Sequence, residues 1–218
     1  MINIGGNIAE MSVGNISIGS AYVGNQLVWE KTSDIPGYTR LSRLENTSDV
    51  YIDTEYYPNA KTKVICDMQF TSVIKQSILF GTSNAGNVWF SLYVNNYNTY
   101  TVQARSGSTA ESRTSTTVNT ARHTFELDAT LKKFYIDGTL IRNLTRGIGA
   151  SAVSTYPIAI WRYTTGGAAS HSILYSFKIY DDDILVRDFI PVQEELTGDY
   201  GVWDKVNEKF HKIQTDTV

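Results

Sequence analysis

Glu126 and Asp128, two positions apart in TFELDAT, come nearest in this sequence to a catalytic spacing. Residues i and i+2 of a strand share a face, and glycosidic cleavage uses two carboxyl groups about 5–9.5 Å apart. The pair stands alone, however, and a solvated strand face beside the Asp137-Gly138 turn accounts for it equally. Glu55 follows YIDT without such a partner, and Glu194 and Glu195 are adjacent, so they point oppositely when extended. His123, His171 and His211 lack ligand spacing such as HxH or HExxH. Neither a Gly-x-Ser-x-Gly elbow nor a phosphate loop is present. The sequence therefore predicts no catalytic residue, no metal ligand, no cofactor and a chain that is not an enzyme. The alternative is a polysaccharide depolymerase acting through Glu126 and Asp128.

A different chemistry belongs to the aromatic residues. In VWFSLYV, Val88, Phe90, Leu92 and Val94 are assigned inward, which leaves Trp89, Ser91 and Tyr93 on the other face. In YPIAIWRY, Ile158 and Ile160 take the core and Trp161 and Tyr163 are left outward, while Tyr97 and Tyr100 sit among amides in NNYNTY. Rings beside short polar side chains suit a ligand with flat C–H faces and many hydroxyls, which is the description of a sugar. The six aromatics Trp89, Tyr93, Tyr97, Tyr100, Trp161 and Tyr163 are thus candidate carbohydrate ligands. The alternative is that these rings cover one another or pack beneath a neighbouring subunit or loop.

Positioning such residues falls to strands. Of 218 residues, 19% are charged and 12% aromatic, a composition rich enough to bury a core. Thr, Val, Ile and Tyr dominate, which favours strands, and no credible long helix is found. Strands are expected near 50–53, 62–70, 77–82, 88–94, 99–105, 122–128, 132–136, 139–142, 156–163, 172–180 and 184–192. Asp137-Gly138 is the strongest hairpin signal. Asp181-Asp182-Asp183 reads as a solvated turn, with a calcium site as the alternative. The Ser/Thr-rich stretch 106–121 reads as either a long loop or an edge strand. Many short strands without intervening helices predict an all-β, two-sheet antiparallel jelly-roll sandwich over 38–218.

Residues 1–31 form a separate unit in which MSVGNISI and AYVGNQLV repeat at a spacing of ten. Gly-Asn and Gly-Ser supply the positive φ of tight turns, and TSDIPG at 32–37 reads as a linker. Strands so short bury too little to be stable alone. Val13, Ile16, Ile18, Tyr22, Val23, Leu27 and Trp29 are therefore expected to form an oligomerisation surface, with a trimer favoured.

The net charge of −3 argues against phosphate-backbone binding, and no apolar run reaches the roughly 20 residues that span a bilayer. Neither nucleic acid nor membrane insertion is expected. MINIGGNIAEM lacks the features of a secretory signal. Cys66, the only cysteine, falls on the apolar face of TKVICDMQF and is expected in the core.

Several segments carry a resemblance: YIDTEYYPNAKTKVICDMQF, HTFELDATLKKFYIDGTLI, and above all ILYSFKIYDDDILVRDFIPVQ followed by GVWDKVNEKFH. Together they resemble concanavalin A-like (laminin-G-like) jelly-roll domains of phage and prophage structural proteins, over most of residues 45–213. AYVGNQLVWE resembles the leader of phage tail and fibre proteins. The resemblance implies a sandwich displayed on a virion surface, assembled in the host cytoplasm, with other virion proteins as partners and bacterial surface glycan as ligand. A purely structural decoration protein is the alternative.

Overall fold

Period-two burial governs the long strands. In Thr62–Phe70, Thr62, Val64, Cys66, Met68 and Phe70 are buried and the residues between them half-buried. This is the pattern of a sheet packed on one face. The computed structural model describes residues 35–82, 87–107, 112–163 and 166–215, of Ser112 and Arg113 the backbone alone, and the backbone of the strands at 12–13, 16–17, 20–23 and 26–30.

Two antiparallel sheets form the sandwich. The first has seven strands, in the order Ser112–Thr117, Thr99–Ser106, Val88–Val94, Ile78–Gly81, Ala159–Ile160, Val50–Asp53, Gln214–Thr215. The second has ten. Its main path runs Thr139–Asn143, Lys133–Ile136, Arg122–Asp128, Thr62–Phe70, Ser172–Asp181, Ile184–Glu194, Tyr200–Asp204, Lys209–Lys212. Tyr38–Arg40 adds to Ile184–Glu194, and Leu44–Asn46 adds to Ser172–Asp181. The fold is the expected all-β jelly-roll sandwich.

Aromatic rings from both sheets meet in the core. Phe80 of the first sheet lies edge-on to Phe177 of the second, with centroids 5.4 Å apart, and Tyr100 packs 5.5 Å from Phe125. Cys66 is fully buried here, and burial pushes its thiol pKa well up. A smaller cluster of Ile35, Ile190 and Val192 lies under Tyr38, Trp203 and Phe210. It is tied by Tyr38–Trp203 and Tyr38–Phe210 ring contacts at 4.9 and 5.1 Å.

Ser12–Val13 pairs with Ile16–Ser17, and Ser20–Val23 pairs with Gln26–Glu30, each pair a two-stranded sheet of its own. The side chains of Val13, Ile16, Tyr22, Val23, Leu27 and Trp29, and the whole of Ile18, lie outside the described residues.

Three local readings are settled by backbone geometry. Asp137 and Gly138 take φ of 50° and 74°, the doubly left-handed turn that closes a two-residue hairpin. The stretch 106–121 contains an edge strand, Ser112–Thr117, paired to Thr99–Ser106. The strand expected over 156–163 is cut to Ala159–Ile160, because Trp161 adopts φ of 79° and leaves the extended region.

Candidate functional site

Strand Val88–Val94 is central to one face of the seven-stranded sheet. Val88, Phe90, Leu92 and Val94 are buried in the core cluster, so Trp89, Ser91 and Tyr93 stand on the opposite face. Across the ladder, Trp89 faces Arg105, Ser91 faces Gln103 and Tyr93 faces Thr101. On the other flank, Ser91 faces Gly81, which in turn faces Ala159. A row Ala159–Gly81–Ser91–Gln103 thus crosses four strands, with Trp89 and Tyr93 rising on either side of it.

The stretch made of residues 161–163 and 166–170 lies against this row. It is pinned by backbone hydrogen bonds from Trp161 N to Leu79 O (2.6 Å), Ser170 N to Trp161 O (3.0 Å) and Ile78 N to Ala168 O (3.0 Å). Within it Tyr163 lies against Gly81: a Cβ on that glycine would stand 2.7 Å from Tyr163 Cε1 and 2.6 Å from Ser91 Cβ. Gly167, at φ of 109°, takes a turn that an L side chain resists, and it closes on Ile78. The result is a cleft of about 400 Å³, walled by Trp89, Tyr93 and Tyr163, with Gln76 and Gln103 as polar lining and Ile78, Gly167 and Ala168 completing it.

Two polar side chains of the row beneath the cleft are buried. Ser91 is 1% exposed and Gln103 3% exposed. Neither Ser91 Oγ nor Gln103 Oε1 has a hydrogen-bond partner among the described residues. Buried polar atoms are normally paired, and leaving one unpaired costs about 1–3 kcal/mol. Behind them the Arg105 guanidinium stacks 5.0 Å from the Trp89 ring and donates to Gly107 O. This cation–π contact orients the indole from one side. No carboxylate or lysine lines the cleft among the described residues.

Of the six aromatics picked from sequence, Trp89, Tyr93 and Tyr163 are brought together here. Tyr97 is 73% exposed at the turn between Asn95 and Thr99, where its backbone N donates to Asn95 Oδ1. Two placements are corrected. Trp161 is 0% exposed and belongs to the core, because its left-handed backbone breaks the alternation that assigned it outward. Tyr100 begins the inward alternation of Thr99–Ser106 and is buried between Phe125 and Phe134 rather than in a loop; that burial raises its pKa. Gln76, Gln103, Gly167 and Ala168 were not singled out from sequence. Only Gln103 had a signal, its place opposite Val102 and Ala104 in TYTVQAR.

The carboxylate pair lies elsewhere. Phe125 and Leu127 point into the core, so Glu126 and Asp128 stand on the outer face of the ten-stranded sheet. Asp128 Oδ1 accepts from Leu131 N at 2.7 Å and caps the following turn, while desolvation raises the Glu126 pKa. In the triple aspartate, Lys61 Nζ meets Asp182 at 2.6 Å, Lys63 Nζ meets Asp183, and Asn59 Nδ2 donates to Asp181 at 3.1 Å. Asp182 and Asp183 are thus each paired with a lysine. Among the described residues no three His, Cys, Asp or Glu side chains are grouped to hold a metal.

No protein-family model matches the chain, and no curated protein matches it. Solved structures do. Trypanosoma rangeli sialidase matches with TM-score 0.48 and 13% identity over 70% of this chain and 27% of the sialidase. A heptameric SAP-like pentraxin from Limulus polyphemus matches with TM-score 0.43 and 10% identity, over 67% of this chain and 76% of that one. A glycosyl hydrolase family protein from Mycobacterium fortuitum matches with TM-score 0.38 and 13% identity, over 75% and 90% respectively. The chain spans about a quarter of the sialidase's length. The expectation that the chain is not an enzyme is corrected on this comparison, since two of these three structures are of enzymes. The physical reason is that carboxylate spacing was tested along single strands, whereas pairing across a sheet also brings together residues distant in sequence, as it does Phe189 and Asp204. The likeness is one of sandwich fold.

Proposed function

We propose that this protein recognises carbohydrate through the cleft between Trp89, Tyr93 and Tyr163. The observation that carries the reading is the union, in one cavity, of three aromatic walls with the side chains of Gln76 and Gln103. Aromatic faces take the C–H side of a sugar ring, and side-chain amides suit its hydroxyls. The structures it is similar to include proteins named for sialidase and glycosyl hydrolase activity. The test is binding of the full chain to a glycan panel, with the Trp89→Ala variant as the control. Affinity for the bound glycan should fall at least tenfold while the melting temperature holds. Binding that survives in the variant overturns the assignment of this cleft, and reducing-end release in the same reactions reports whether the glycan is also cleaved.

The setting we propose is the surface of a phage or prophage particle, on the strength of the motif ILYSFKIYDDDILVRDFIPVQ and of the leader ending in AYVGNQLVWE. The two N-terminal hairpins pair only within themselves among the described strands, which supports an oligomerisation role completed by further copies or by other virion proteins. Removing residues 1–31 should convert a trimer into a monomer by sedimentation. An unchanged oligomer overturns that role.

A further inference from the structure

We infer that the cleft takes an oligosaccharide of two or three glycosyl units, laid along strand Val88–Val94 with one unit on Trp89 and another on Tyr93. This rests on the carbohydrate reading and adds to it the length and direction of the ligand. Trp89 and Tyr93 stand four residues apart on one face of the strand. The rise of an antiparallel strand sets them about 13 Å apart. The strand keeps that spacing, because it pairs with Thr99–Ser106 in unbroken register from Val88 to Val94. A single pyranose ring is no wider than the indole it would lie on, so one sugar cannot touch both aromatics.

The middle of the interval is filled. Ser91 lies between Trp89 and Tyr93 on the same face and is covered. Over the neighbouring Gly81 packs the Tyr163 ring, which also rests on Gly167: a Cβ there would stand 3.5 Å from Tyr163 Cδ2. Tyr163 is itself only 8% exposed, whereas Trp89 and Tyr93 are half-buried. The centre of the cleft is thus a nearly covered ring between two more open ones. It can support a chain that passes over it, but it offers a lone sugar little area. The aromatic surface open to a ligand belongs mainly to the two ends.

Each end is furnished for one unit. The Arg105 guanidinium stands 5.0 Å from the Trp89 ring and takes one face of the indole, which leaves the other to stack on a single sugar. At the far end Ile78 pairs with Tyr93, and Val94 N donates to Ser77 O, so Gln76 lies beside Tyr93 in the lining. Its amide both donates and accepts, which suits the hydroxyls of the unit on Tyr93. The volume of about 400 Å³ is more than one ring fills and falls within the range of small-ligand sites.

The test titrates the full chain with the mono- to hexasaccharides of gluco-, manno-, galacto- and xylo-series. Wild-type affinity should rise at least tenfold from the monosaccharide to the trisaccharide of the series it binds. Tyr93→Ala should bring that trisaccharide back to within about threefold of the monosaccharide, with the melting temperature held. The wild-type series decides the question even where the variant fails to fold. A monosaccharide bound within twofold of its own trisaccharide overturns the inference and leaves the carbohydrate reading intact. So does a Tyr93→Ala variant with wild-type affinity for a trisaccharide that still requires Trp89. Binding to no member of any series overturns both.

Discussion

Tyr163 lies where the side chain of residue 81 would be, its Cε1 2.7 Å from the position a Cβ on Gly81 would take. The wall of the cleft and the floor of the sheet are therefore one packing unit, and neither residue can change without the other moving. Gly81→Ala should destabilise the protein by about 1–3 kcal/mol, the usual cost of overfilling a packed site. Urea denaturation reads the stability, and glycan binding should fall in the same variant as Tyr163 is displaced.

Two tryptophans that look alike in sequence should behave oppositely. Trp161→Ala empties a fully buried site among core residues and should cost about 3–5 kcal/mol. Trp89→Ala removes a half-buried ring and should alter stability by about 1 kcal/mol or less while abolishing binding. Paired melting and binding measurements separate the two.

Asp204 is a fully buried carboxylate with four partners. Oδ1 accepts from the backbone N of Asp188 and of Val206, each at 3.0 Å. Oδ2 accepts from Asn207 Nδ2 at 2.6 Å and lies 3.4 Å from Arg187 Nε. Asp204→Ala leaves the Asp188 and Val206 amides without their acceptor and should cost about 1–3 kcal/mol for each. Calorimetry of the variant checks this.

Acid sensitivity is written into the hairpin at Asp137. Its carboxylate bonds His123 Nδ1 at 2.6 Å and accepts from Thr124 N at 2.8 Å, which holds its pKa below the ordinary 3.8. A carboxyl depressed in the fold lends stability that is complete above the unfolded value and is lost as pH falls through the folded one. Asp137→Asn keeps a residue that tolerates the left-handed turn. It should show a shallower decline of stability below pH 3.8, followed by denaturation at stepped pH.

Calcium should leave the melting temperature unchanged. Lys61 and Lys63 pair with Asp182 and Asp183, which offsets the negative charge that would draw a cation to the turn. Lys61→Ala with Lys63→Ala is the variant in which added calcium could acquire an effect.

How much of this was legible depended on how strictly the backbone obeyed its period. TKVICDMQF alternates without exception, and its inward set was readable residue by residue. The same rule placed Trp89 and Tyr93 on the cleft face. It failed at Trp161, where a single positive φ turns the side chain inward and no residue type announced it. It could not reveal that Tyr163 covers Gly81, because that contact joins segments 82 positions apart through tertiary packing. Gln103 was visible as an outward residue but not as part of the cleft, since its neighbours there come from other strands and a distant loop.

Ala159–Ile160 is the short strand that joins two parts of the seven-stranded sheet: Ile78–Gly81 lies on one side of that dipeptide and Val50–Asp53 on the other. A tensile load drawn across the sheet would find its tear line there, and amide exchange at these two residues is the gauge of how firmly the halves are sewn together.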